Sequence, residues 1–165
     1  MKIKPDRLIK RSLAGEIRAF KKLIDMYNKQ VFDLCFRMAG NKTAVQDLVV
    51  RTFVTARQRL GDYDFSVPFH VWLYSLAVSC SVQAGTEAEH VGEPGDKAEE
   101  LLRQVPFYPR IAMILKYAHQ LTPEETAYVL NCRVDTIKAY LRQGRELLRV
   151  QQRSNIMKPD LLLGT

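Results

Sequence analysis

The sequence has no apolar stretch approaching the ~18 residues that a membrane-crossing helix requires. Its opening charges are not followed by the apolar segment of an export signal. The expected compartment is therefore the cytoplasm, with no membrane partner. Cysteine is scarce: Cys35, Cys80 and Cys132 lie far apart, form no Cys-x-x-Cys pair and have no histidine in ligand register. That argues against a disulfide framework and against a zinc centre, leaves the thiols buried or idle, and gives no reason to expect a metal or any other cofactor. No glycine-rich phosphate loop occurs. His70, His90 and His119 are scattered, and the carboxylates read as helix caps, linker charge or solvated faces, so no catalytic constellation forms and an enzyme is not expected. Strand-like alternation of useful length is also missing, which leaves an all-α chain.

What is present is a folding composition with a basic balance. The 165 residues are 47% hydrophobic and 26% charged, with a net charge of +7, which favours a polyanionic partner. The charge is unevenly placed. Residues 1–84 carry fourteen Lys or Arg against seven Asp or Glu, residues 85–97 one against four, and residues 98–165 ten against seven. The acidic connector "GTEAEHVGEPGDK" holds Gly85, Gly92, Pro94 and Gly95 and lacks the spacing to bury a helix face, so it reads as a flexible linker. Two small helical domains, 1–84 and 98–154, are expected on either side of a linker at 85–97, with a tail at 155–165.

Four helices are predicted before the connector, at about 5–14, 16–39, 42–60 and 68–84. In the second, Phe20, Leu23, Ile24, Tyr27, Val31, Leu34, Cys35 and Met38 recur at three- and four-residue steps, and Gly40 and Asn41 supply a stop. The third repeats the pattern through Leu48, Phe53, Ala56 and Leu60. After the connector come helices at about 98–104 and 106–119, and then "LTPEETAYVLNCRVDTIKAYLRQGRELLR".

That stretch specifies two helices joined by a sharp turn. Thr122 caps the first, Pro123 suits its first position, and Glu125 completes a capping box. Asn131 tolerates the left-handed backbone of the turn. In the second helix Val134, Ile137, Leu141 and Leu148 form an inward stripe, leaving Arg133, Thr136, Lys138, Ala139, Arg142, Gln143, Arg145 and Arg149 largely outside. Such a face suits a DNA major groove, where Arg and Lys meet phosphates and Arg, Lys, Gln and Thr bond base edges. Taken alone, the pattern fits an amphipathic hairpin with a solvated basic face equally well.

A second candidate lies in the first block. Tyr63, Phe65, Phe69, Trp72 and Tyr74 fall within twelve residues, beside Arg57 and Arg59, a composition suited to stacking unpaired bases along a phosphate track. Because aromatics in small helical domains mainly serve burial, about two of the five are expected to be exposed.

In order along the chain, "LIKRSLAGEIRAFKKLIDMY", "GNKTAVQDLVVRTFVTARQRLGDYD", "PFHVWLYSLAV", "VPFYPRIAMILKYAHQ" and the helix pair resemble the extracytoplasmic-function group of bacterial RNA polymerase sigma factors. The resemblance implies a region-two bundle that binds the clamp of core polymerase, on its beta-prime subunit, and engages the minus-10 element. It also implies a region-four helix-turn-helix that binds the minus-35 element, and an anti-sigma protein as a restraining partner. Asp47, Leu48, Val50, Arg51 and Phe53 match the polymerase-binding helix. Tyr63, Phe65, Ser66, Phe69, Trp72 and Ser79 match minus-10 positions, with the loop 61–69 matching the one that captures a flipped base. Arg133, Thr136, Lys138, Ala139, Arg142, Gln143 and Arg145 match the minus-35 reader.

The chain departs from the family pattern at Val50 and Arg51, where Gln and Glu are usual, and at Ser79, where Asn is usual. Tyr140 replaces a frequent Arg, Arg133 a usual Ser, and "AGTEAEH" a common basic cluster. Region two is thus the more divergent half. A degenerate sigma-like protein that binds polymerase or an anti-sigma protein without initiating is the alternative these departures raise. A stand-alone helix-turn-helix repressor is the third, disfavoured by the region-two pattern.

Overall fold

The computed structural model describes residues 4–39, 42–85 and 97–156. Eight α-helices account for most of them: α1 Pro5–Leu13, α2 Ile17–Ala39, α3 Lys42–Gln58, α4 Phe69–Gln83, α5 Lys97–Arg103, α6 Phe107–Tyr117, α7 Pro123–Leu130 and α8 Val134–Ile156. No strand occurs among the described residues. The chain divides into two compact units, Met1–Glu93 and Pro94–Thr165. The Gly40–Asn41 stop, nearly all of the acidic connector and most of the tail lie outside the described residues.

In the first unit α2, α3 and α4 pack against one another and α1 lies on α2. The α2 stripe buries Phe20, Leu23, Val31, Leu34, Cys35 and Met38, while Ile24 and Tyr27 are half-buried. Leu48, Phe53 and Ala56 do the same for α3, and Leu60 begins a 3-10 turn, Leu60–Asp62, where a continuous helix to residue 60 is predicted. Pro68, as cap residue with an extended backbone, starts α4 one position later than the sequence suggests. This helix is apolar around most of its circumference and buries ten of its fifteen residues, as expected of a helix enclosed by its neighbours.

In the second unit α6 packs on α7 and α8, and α5 touches α8. Gly144 leaves room for the Met113 side chain of α6: a Cβ there would collide with the Met113 sulfur. α8 runs without interruption to Ile156, so the first two positions of the expected tail are helical.

Candidate nucleic-acid interface

The α7–α8 corner is built by local chemistry. Thr122 Oγ1 accepts from the Glu125 N–H at 3.1 Å, and Glu125 Oε2 accepts from the Thr122 N–H at 3.0 Å, closing the capping box. At the other end of α7, Asn131 adopts φ 49° and ψ 51°, which a short polar side chain tolerates better than most. The Asn131 and Cys132 N–H groups then bond the Tyr128 and Ala127 carbonyls, so the turn satisfies its own backbone.

From this corner α8 buries Ile137 and Leu141 and half-buries Val134 and Leu148. Lys138, Ala139, Arg142 and Gln143 are all exposed and share the opposite face. Among the described residues neither Lys138 nor Arg142 has an ion-pair partner. The other expected contacts are less free. Arg133 pairs with Asp135 at 3.7 Å, Arg145 donates to the Tyr117 hydroxyl at 3.2 Å, and Arg149 pairs with Glu146 at 3.1 Å. Thr136 is half-buried. Tyr140, where the resemblance leads one to expect Arg, stacks on Tyr108 with centroids 6.1 Å apart and an interplanar angle of 15°. Its ring helps hold α6 to α8.

The aromatic cluster of the first unit is mostly core. Tyr63, Phe69, Trp72 and Tyr74 are buried, and Phe65 alone of the five is exposed, at 42%. The expectation of two exposed rings is therefore too high, because Tyr63 sits within 5.3 Å of both Phe69 and Trp72, and Phe69 within 5.3 Å of Tyr27. These rings pack edge to face or tilted, each closing the space beside the next. The flanking arginines are engaged too: Arg57 lies over the Phe20 ring at 5.2 Å, and Arg59 pairs with Asp62 at 3.2 Å.

What the cluster does support is a rigid loop. The Tyr63 hydroxyl donates to the Val67 carbonyl at 2.7 Å, and Asp64 Oδ1 accepts from the Ser66 N–H at 2.9 Å. The Ser66 bonds hold the Asp64 carboxyl below the usual carboxylate range. Between them Phe65 takes φ 62°, a left-handed backbone that a bulky residue adopts at a cost. Phe65, Ser66 and Phe69 line a cleft of about 440 Å³ that Pro5, Asp6, Tyr27 and His70 complete. Sequence reasoning missed those four. Tyr27 gave a partial signal by lying on the apolar stripe of α2, but nothing local tells Pro5 and Asp6 that the loop after α3 folds beside them. Ser79 is exposed on α4.

The expected polymerase-binding set divides. Leu48, at 2% exposure, and Phe53, at 8%, point into the core and offer no surface. Asp47, Val50 and Arg51 lie outside, with Val50 at 62% exposure and Arg51 reaching Asp47 at 3.9 Å. Val54 joins them as an exposed apolar residue. The helix needs apolar residues on both faces here, and periodicity alone did not separate core from contact.

No group of three or more metal-ligating side chains occurs among the described residues, and none of the described helices is long and apolar enough to cross a membrane. Burial pushes the Cys35 thiol up to about 12 and also raises that of Cys132, which disfavours the reactive thiolate form.

Residues 96–148 match the family described as Sigma-70, region 4. The ECF RNA polymerase sigma factor SigW of Bacillus subtilis is 28% identical, over 88% of this chain and 95% of its own. The ECF RNA polymerase sigma-E factor of Escherichia coli is 27% identical, over 86% and 90%. The fold is similar to that of CnrH, solved in complex with the cytosolic domain of CnrY, at TM-score 0.73 and 20% identity over 92% of this chain and 99% of that one. It is also similar to that of the sigma factor RpoE from Bartonella quintana, solved with the anti-sigma factor NepR, at TM-score 0.67 and 18% identity over 87% and 99%.

Proposed function

We propose that this chain, which is similar over most of its length to extracytoplasmic-function RNA polymerase sigma factors and matches Sigma-70, region 4 over residues 96–148, is itself a sigma factor of that group, binding core RNA polymerase and directing initiation at promoters that carry a minus-10 and a minus-35 element. The observation that carries this reading is the face of α8. It sets Lys138, Arg142 and Gln143 on one exposed strip, opposite Ile137 and Leu141, at the end of a corner fixed by the Thr122–Glu125 box and Asn131. These three side chains read the minus-35 groove, and Ala139 gives an apolar surface for a thymine methyl. Arg133, Arg145 and Thr136 act at its edges through phosphates, the first two by exchanging weak exposed partners for DNA.

In the first unit the cleft under Phe65 takes one base turned out of the duplex. Tyr63, Phe69 and Trp72 act as the wall that keeps the loop in shape, Ser66 supplies a hydroxyl at the mouth, and Ser79 lies further along α4. Asp47, Val50, Arg51 and Val54 form the polymerase-facing strip of α3, with Leu48 and Phe53 holding that helix from behind. The two-unit organisation, joined by the connector at 85–97, lets both modules engage one promoter on one polymerase at a high effective concentration. The setting is the cytoplasm, and the restraining partner is an anti-sigma protein, the kind of partner with which RpoE was solved.

The second reading, polymerase binding without initiation, draws on Val50 and Arg51: an exposed valine and an arginine leaning on Asp47 stand on the strip that meets polymerase. Mixing the full chain with core polymerase, and measuring complex formation and transcript formation separately, distinguishes the two. A complex that makes transcripts supports the first, a complex that makes none supports the second, and no complex overturns both.

A further inference from the structure

The positive charge of the first unit is concentrated in one place that the reading above does not use. Residues 4–29 carry eight Lys or Arg against three Asp or Glu, whereas residues 30–84 carry five against four. Helix α1 accounts for much of it. It turns Leu8, Ile9 and Ser12 inward and leaves Lys4, Arg7, Lys10 and Arg11 exposed. Those four, with Asp6 and Ala14, line a second open cleft of about 480 Å³.

The charges differ in availability. Arg11 donates from Nε to Glu16 Oε2 at 2.7 Å and from Nη2 to Oε1, so its cation is already answered. The Glu16 carboxyl is held below its usual range by that bond and, secondarily, by Lys22 and Arg18. Lys4, Arg7 and Lys10 have no ion-pair partner among the described residues. They span roughly 9 Å of helix at 1.5 Å per residue.

Position relates this strip to the aromatic cleft. Asp6 lines both clefts, and Pro5 beside it lines the aromatic one. The first turn of α1 therefore borders the aromatic cleft, and the basic strip begins beside it.

We propose that the outer face of α1 is a phosphate-binding track for single-stranded DNA, with Lys4, Arg7 and Lys10 carrying the strand that flanks the base held under Phe65. The proposal rests on the cleft reading given above, and it assigns to α1 a role in strand affinity separate from base choice. Each neutralised phosphate on a single strand releases counterion and contributes about 0.7 to the slope of log K against log salt.

The test compares the full-length chain with a variant carrying Lys4→Gln, Arg7→Gln and Lys10→Gln, using a short labelled single-stranded DNA of mixed sequence and its duplex form across a salt series. All three positions are exposed, and circular dichroism checks that the variant remains folded. The expected result is a single-strand salt slope lower by about 2 in the variant, with duplex binding changed much less. An unchanged single-strand slope, an equal loss on duplex, or no single-strand binding by the parent chain overturns the proposal. Phe65→Ala in the same assay separates this from the cleft reading. If the cleft fails while the track stands, Phe65→Ala changes nothing and the triple variant still lowers the slope. If the track fails while the cleft stands, the reverse is seen.

Discussion

The ring of Phe65 rests on that of Tyr63, with centroids 4.6 Å apart, and is carried there on a backbone with φ 62°. Tyr63 is buried and bonded to the Val67 carbonyl, whereas Phe65 is exposed. One ring therefore anchors the loop and the other is presented by it. Phe65→Ala is expected to leave thermal stability nearly unchanged while weakening capture of an unpaired base by about 1–3 kcal/mol. Trp72→Ala, in the same cluster but buried, is expected to destabilise the first unit by about 3–5 kcal/mol. Paired thermal melts and strand-binding titrations check both; similar losses of stability in the two variants would contradict the division.

The α7–α8 corner gives a stability prediction. Thr122→Ala removes one half of the capping box and is expected to cost about 1 kcal/mol. Asn131→Val places a β-branched residue in a left-handed backbone and is expected to cost at least as much, while Asn131→Gly is expected to be neutral or better. Chemical denaturation of the full chain, following the second unit's transition, measures all three. A destabilising Asn131→Gly would show that the Asn side chain matters beyond its backbone.

Burial and, secondarily, the neighbouring Arg103 cation push the Arg110 guanidinium down to about 10. It donates to the Arg103 carbonyl at 3.3 Å, lies 5.8 Å from the centre of the Phe107 ring, and leaves its Nε without a partner. Because the folded pKa lies below the unfolded one, the folded state disfavours the charged form. This group's destabilising contribution is full at neutral pH and is relieved only as pH rises through about 10. Arg110→Met is accordingly expected to raise the melting temperature of the second unit at neutral pH, with a gain that shrinks above pH 10. A loss of stability in a melt at neutral pH would contradict the assignment.

On α3, Leu48→Ala and Val50→Glu separate core from contact. The first is expected to cost about 2–5 kcal/mol of stability. The second, at an exposed position, is expected to leave the melt unchanged and alter binding to core polymerase. Calorimetry and a pull-down on core polymerase give the two readouts.

Much of this architecture was legible in the sequence, for identifiable reasons. The capping box, the left-handed Asn131 and the Ile137–Leu141 stripe are local signals, and each appears where its chemistry requires. Helix α2 was equally plain because its apolar spacing holds over its whole length. The aromatic cluster was harder, since composition shows that five rings fall close together but not that Tyr27 arrives to cover Phe69, or that Phe20 engages the flanking Arg57. The burial of Leu48 and Phe53 was hidden for a related reason: in a helix apolar on two faces, spacing cannot say which face turns into the core. The cleft wall from Pro5 and Asp6 depends on a contact distant in sequence and had no local signature.

The most direct measurement is to transcribe a randomised promoter library with core polymerase and either the parent chain or Arg142→Gln, and to sequence the initiated templates. Two enriched elements at fixed spacing are expected for the parent chain. For the variant, the upstream element is expected to lose preference at one or two positions, by about 1–3 kcal/mol, while the downstream element is retained. Absence of any enriched element with the parent chain, or loss of both elements together in the variant, would contradict promoter reading through α8.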